Sequence, residues 1–209
     1  SGVRPVILHP AVVESFVLSI LFDNLDGASV SHGQSHFRAG QFDSREPVLR
    51  GDLTLRIDPL ERPKSGAYRF TQEGVPATPC VLVEAGCLVT PVLNLKYARR
   101  LGKTPTALPQ DYDTVHFEGP PVLTLDEALA EAEGGALVLH VLGVHTQDPV
   151  SGDFSLAAPQ TLAIERGRLG GRFRPTLAGN LFEALRSESL RLVRFEGTGT
   201  PGILMRCRL

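Results

Sequence analysis

Apolar residues along the chain fall into two periods, and each period marks out elements. Residues 3–8 are β-branched and apolar and predict a short buried strand. Pro10 suits the first turn of a helix, where its missing N–H costs nothing. Val12, Val13, Phe16, Val17, Ile20 and Leu21 then recur at helical spacing and form one apolar stripe. Asp23, Asn24 and Gly27 end that helix, and the small, polar residues 29–34 read as a loop. Leu53, Leu55 and Ile57 alternate with polar residues, as in a half-buried strand stopped by Asp58-Pro59. Glu73-Gly74-Val75-Pro76 is a turn, and residues 81–92 predict a hairpin about Ala85-Gly86.

Asn94 caps a short helix through Arg100, with Leu101-Gly102 as its glycine end. Residues 103–121, rich in Pro, Thr and Asp, read as a long irregular connection and a candidate binding loop. Thr124-Leu125-Asp126-Glu127 is a capping box that starts a helix through Ala132, ended by Gly134-Gly135. Residues 136–144 form a strongly apolar strand, 148–153 a turn and 154–163 a further strand. Arg166-Gly167 is a hairpin turn with Phe173 on the return strand. Gly179-Asn180 precedes a last helix at 181–186, and residues 190–195 and 203–209 are final strands. The sum is α+β: a mostly antiparallel β-sheet system with three or four short helices. With no repeat and no clear interior linker, residues 1–209 read as a single domain.

Composition narrows the function classes. Hydrophobic residues make up 42% of the chain and charged residues 21%, which is globular rather than disordered. The formal net charge of −2 supplies no bulk basic field, so neither nucleic acid nor anionic membrane is expected as a partner. No apolar run reaches the length of a membrane span, and no signal-peptide layout opens the chain. Cys80, Cys87 and Cys207 are odd in number and lack motif spacing, which suits a reducing cytoplasm.

No general chemical motif is present: phosphate-binding glycine loops, paired-cysteine zinc spacings and the Gly-x-Ser-x-Gly elbow are all missing. Arg166, Arg168, Arg172 and Arg174 make a local basic run, read as a solvated hairpin or a contact for phosphate or acidic peptide. His32 and His36 are four apart, a spacing that would let them share a metal on a helix, but Gly33 and the flanking serines argue against one there. His140 and His145, on the apolar strand and its exit, are expected as core histidines, and His116 as exposed.

Several short segments, in order over nearly all of the chain, resemble the TldD/PmbA family. They are Asp58-Pro59, residues 66–70, Glu73-Gly74-Val75-Pro76 and the hairpin at 83–88. Then come Ala98-Arg99-Arg100-Leu101-Gly102, Ser151-Gly152-Asp153-Phe154-Ser155 and Glu165-Arg166-Gly167-Arg168 with Pro175. Ala178-Gly179-Asn180-Leu181 and Gly197-Thr198-Gly199-Thr200-Pro201 complete the set. Departures exist: Phe70 is not followed by the family's acidic residues, and Thr104-Pro105 stands where Thr-Gly is usual. The family's usual chain is about twice as long, and the resemblance is to its C-terminal half.

The family comprises cytoplasmic zinc peptidases and their metal-free partner subunits, also known under an older name, modulator of DNA gyrase. Resemblance implies, for active members, a His-Glu-x-x-x-His helix and a late cysteine that bind zinc, with the glutamate accepting a proton from the metal-bound water. Here the stretch is His9-Pro10-Ala11-Val12-Val13-Glu14. His9 stands at the first ligand position, Pro10 replaces the general base, and Glu14 replaces the second histidine. Residues 190–196 hold no cysteine, and Cys207 lies beyond them in a predicted strand. The expectation is therefore no cofactor in this chain, with zinc only in a partner subunit; His9 also reads as a strand-to-helix cap.

The resemblance implies a non-catalytic partner of the PmbA (TldE) kind, forming a homodimer or a heterodimer with a TldD-type subunit that processes unfolded peptides. Ser31, His32, His36, Tyr112 and His116 are the peptide-binding candidates, from residues 29–36 and 103–116. One alternative is an active metal-dependent peptidase with a rearranged site of His9, Glu14 and His32 or His36. The other is a stand-alone binding or structural module.

Overall fold

A computed structural model describes residues 2–209. In chain order the first elements are β1 (Val3–Leu8), α1 (Pro10–Val12), a π-helical stretch (Val13–Leu18), α2 (Ser19–Leu25), α3 (Gly27–His32) and α4 (Ala39–Asp43). Next come β2 (Thr54–Ile57), β3 (Cys80–Glu84), β4 (Cys87–Leu88), α5 (Leu95–Leu101), a single 3-10 turn (Tyr112–Thr114) and β5 (Val115–Glu118). The chain continues through β6 (Val122–Thr124), α6 (Leu125–Glu131), β7 (Ala136–Leu142), a further 3-10 turn (Val144–Thr146) and β8 (Asp153–Glu165). It finishes with β9 (Arg168–Phe173), β10 (Thr176–Asn180), α7 (Leu181–Arg186), β11 (Arg191–Arg194) and β12 (Gly202–Arg208). The class is the expected α+β, and two strand pairings, β1 with β7 and β6 with β11, are parallel amid antiparallel neighbours. No helix among the described residues is long and apolar enough to cross a membrane.

Packing divides the chain into two compact units: residues up to Ser19 together with 119–209, and residues 20–118. In the first unit the sheet runs β1-β7-β8-β10-β12-β11-β6, and β1 also pairs with β12. The strands β1, β7, β8, β10 and β12 therefore close on themselves, and β6 and β9 remain as edges. Alternation decides what each strand buries: Phe154, Leu156 and Ala158 of β8 point inward between exposed neighbours. Gly135 is required at the start of β7 because a Cβ there would run into the Pro5 carbonyl and ring. Helix α6 sets Ala128, Leu129 and Ala132 against Ile7, Leu137, Ile164, Val193 and Leu204. Its predicted capping box is present, with Thr124 accepting from the Glu127 N–H and Glu127 accepting from the Thr124 N–H. The helical stripe read from the sequence also holds, since Val12, Val13, Phe16 and Val17 are all buried and Phe16 meets Phe154 edge-on at 5.0 Å.

In the second unit four antiparallel strands stand in the order β4-β3-β2-β5. The β3–β4 turn places Ala85 and Gly86 at φ 46° and 75°, the left-handed pair a two-residue hairpin loop needs. Gly86 also packs on the carbonyls of Leu49 and Arg50, leaving no room for a Cβ. Helix α5 starts at Asn94, whose side chain accepts from the Tyr97 N–H, and stops at Gly102 in the left-handed region, as expected.

Several sequence expectations are corrected. Residues 29–32 are helical rather than loop, because Asp26 accepts the N–H groups of Ala28 and Ser29 and starts α3, which Gly33 ends at φ 68°. The stretch 103–121 is not wholly irregular, because β5 emerges from it to pair with β2. His116 is not exposed: on β5 it lies 2.7 Å from Glu61 with 18% of its side chain accessible. His140 and His145 are exposed rather than core, since register shifts on both sides of His140 turn the end of β7 outward. Helix α4 and strands β6 and β10 were not anticipated; each is too short to show a period.

Candidate metal position and its surroundings

Strand β1 delivers His9 to the start of the helical run, and the residue caps it. Its backbone N–H donates to the Val138 carbonyl at 3.0 Å, extending the β1–β7 pairing by one step. Its Nδ1 accepts the Ala11 N–H at 3.2 Å, one of the N–H groups a helix start leaves without a partner. The ring stands edge-on to Phe195 at 5.0 Å. Burial holds the imidazole below its usual pKa, with the Glu14 charge pulling partly back. Capping has the same sense, because Nδ1 must be unprotonated to accept. Pro10 occupies the first helical turn and has neither an N–H nor a side chain able to take up a proton.

Glu14 is the second residue of the π-helical stretch, and the Ser19 N–H reaches back five residues to its carbonyl. Its Oε1 accepts the Thr200 hydroxyl at 2.6 Å, a contact spanning 186 residues of chain. Thr200 is 4% exposed. Its own carbonyl, with that of Phe195, accepts the Thr198 hydroxyl, so residues 195–200 fold into a tight turn. Gly202 completes this arrangement, since a Cβ there would strike the Phe195 ring and the Leu8 carbonyl. The two motifs that the sequence could only align by family, His9-Pro10-…-Glu14 and Gly197-…-Pro201, are thus joined in one place. Neither Thr200 nor Phe195 was singled out from the sequence; the one available signal was the motif containing Thr200.

These residues do not fit a zinc ion. A zinc site takes three or four ligands with deprotonated donors. His9 has spent Nδ1 on the helix, and Glu14 has an oxygen engaged by Thr200. Among the described residues no group of three or more His, Cys, Asp or Glu side chains gathers. Cys207 stands opposite Arg4 in the β1–β12 pairing, whereas Ile203 is opposite Leu8. Four strand steps, roughly 13 Å, separate it from the His9 end of the sheet. Burial further pushes its thiol up to about 12, so it stays protonated at neutral pH.

The peptide-binding candidates all lie in the second unit. Ser31 is on α3 with its hydroxyl buried and unpartnered in the structure. His32, exposed at the end of that helix, accepts from the Arg100 guanidinium at 3.0 Å and meets Tyr97 edge-on. His36 follows Ser35, and its N–H donates to Asn24 at 2.6 Å. Tyr112 opens the first 3-10 turn and lies 6.1 Å from Phe22. His116 is engaged with Glu61, as described above. His32 is built into α3 and its contact with α5, and His116 into β5.

A closed sheet carrying a capped, partly π-helical run and a terminal glycine turn defines an α+β domain. The chain matches the PmbA/TldA metallopeptidase C-terminal domain over residues 1–207 and belongs to that family. Its structure is similar to that of TldE from Thermococcus kodakarensis, with a TM-score of 0.77 and 22% identity over 98% of this chain and 49% of that one. It is likewise similar to a Thermotoga maritima protein labelled a putative modulator of a DNA gyrase, with a TM-score of 0.78 and 24% identity over 99% of this chain and 49% of that one. The uncharacterized protein MJ0231 of Methanocaldococcus jannaschii is 29% identical over 115 residues, covering 53% of this chain and 28% of its own length. The chain thus spans about half the length of the solved relatives it matches.

Proposed function

We propose that this chain is a non-catalytic, metal-free partner in a TldD/PmbA-type peptidase assembly of the cytoplasm, pairing with a zinc-bearing TldD-type subunit. It contributes wall and interface to the chamber in which unfolded peptides are processed, and the partner supplies the zinc chemistry. The observation that carries this reading is the state of the His9–Glu14 segment. Where hydrolysis needs a base beside the metal, Pro10 offers none; where it needs a ligand, Glu14 is tied to Thr200. What remains is a structural strut linking the helical run to the terminal strand.

The test is a reconstitution. The chain alone, supplied with zinc, is incubated with a labelled unfolded peptide, and again after addition of a TldD-type chain. No cleavage alone and cleavage by the mixture that exceeds that of the TldD-type chain by itself is the expected pair of results. Zinc-dependent cleavage by the chain alone, abolished by His9→Ala, would overturn the proposal and favour the rearranged peptidase.

A further inference from the structure

The other end of the closed sheet has a different character. Strand β12 ends at Arg208, which faces Ala178 of β10. β9 continues the line of β10 along β8, with Ala158 donating to the Pro175 carbonyl between them. Among the described residues β9 pairs only with β8. Its six residues, Arg168-Leu169-Gly170-Gly171-Arg172-Phe173, are all exposed, with Leu169 at 45% and Phe173 at 38%. An exposed strand edge presents a row of unpaired N–H and C=O groups that another extended chain can complete.

Two further features give this edge a preference. Arg168, Arg172 and Arg174 form no ion pair among the described residues, although guanidinium groups readily pair with carboxylates. In addition, a hollow of about 650 Å³ lies beside the edge, lined by Arg4, Glu165, Arg172, Phe173 and Leu209. A second hollow of about 530 Å³ shares Arg172 and Phe173, adds Arg174, and is otherwise lined by Leu139 of β7 and residues 159–162 of β8, on the side where β9 is paired. Glu165 is the one carboxylate side chain in either lining, and Glu133 is occupied in accepting the N–H groups of Arg166 and Gly167 at the hairpin turn. The site is therefore an edge flanked by cationic and apolar side chains in excess of its acids. It also lies at the start of β1, whereas His9 lies past its end.

We infer that the free edge of β9 docks an extended segment of another polypeptide in which carboxylates alternate with apolar side chains, adding it as a further strand. Main-chain hydrogen bonds to β9 hold the segment, Arg168, Arg172 and Arg174 pair with its acids, and the hollows beside Phe173 take its apolar side chains. The inference is independent of the metal reading, and its failure would leave that reading untouched.

The test uses the full chain and a fluorescein-labelled hexapeptide alternating glutamate with valine, matched to the six residues of β9. Binding is read by anisotropy. The expected result is saturable binding that weakens with salt, falls roughly tenfold in Arg172→Glu and is retained in Arg172→Lys. A lysine–valine hexapeptide should not bind, and N-methylation of alternate amides should abolish binding by removing the strand hydrogen bonds. Arg168→Glu serves as a second variant if Arg172→Glu fails to fold. No saturation, indifference to the charge reversals, or unchanged binding of the N-methylated peptide would overturn the inference. So would sedimentation showing that the edge is closed by a second copy of this chain.

Discussion

The two ends of strand β1 make opposite use of their polar groups. Past its C-terminal end, His9 and Glu14 are already engaged, one by the Ala11 N–H and the other by the Thr200 hydroxyl. Near its start, Arg4 and the β9 arginines flank an edge whose main-chain groups have no further strand among the described residues. Burial costs a polar group its water, so an internal partner must replace it, whereas an exposed strand edge keeps its water until another chain pairs with it. In the first region the protein has supplied the partner itself, closing a position that resembles a ligand site. In the second it has not.

The largest effect should come from opening the closed region. Thr200→Val removes the donor to a half-buried carboxylate and should cost about 1.5–3 kcal/mol of stability, measured by urea unfolding. A cost near zero would mean the Glu14–Thr200 contact is not a strut. A smaller effect concerns pH. The His9 pKa is lowered in the folded state, so the unfolded chain binds the proton more readily and stability rises with pH through this window. The contribution is full above the ordinary histidine value of about 6.5 and is lost as pH falls through the lowered folded value. His9→Asn keeps a capping acceptor and should flatten that dependence, read from melting temperatures across the range. An unchanged slope would place its origin elsewhere. The smallest effect belongs to the open region: Arg172→Glu breaks no internal contact and should alter stability by less than about 0.5 kcal/mol. A larger loss would show that the edge is engaged within the chain.

Legibility followed the same division between local and distant causes. Elements with a period or a cap could be read directly: the stripe of Val12, Phe16 and Ile20, the Thr124 capping box, the Asn94 cap and the hairpin turns at Ala85-Gly86 and Arg166-Gly167. Family motifs without obvious chemistry prove to be joints. Glu73 accepts the Leu95 N–H at the start of α5, and Asn180 donates to Ser151 and Asp153 while accepting from Glu183 at the start of α7. What could not be read was anything set by a partner far along the chain. Helix α3 hid among serines and a glycine because Gly27, its first residue, was read with Asp23 and Asn24 as the end of the preceding helix, which passed over its cap, Asp26. β5 hid in a Pro-rich stretch because its pairing with β2 crosses some sixty residues, from Thr54↔Glu118 to Ile57↔Val115. His140 was misjudged because a strand's hydrophobic run says nothing of the bulges that redirect it. At the candidate site, His9, Pro10 and Glu14 were legible only through their family spacing. The hydroxyl that occupies Glu14 lies 186 residues away and carries no local signal.

The measurement that bears most directly on the account is metal content, by mass spectrometry, of chain purified without chelator and dialysed against micromolar zinc. With the donors engaged internally and no third ligand at hand, less than about a tenth of an equivalent is expected. Close to one equivalent, lost on His9→Ala, would contradict the account.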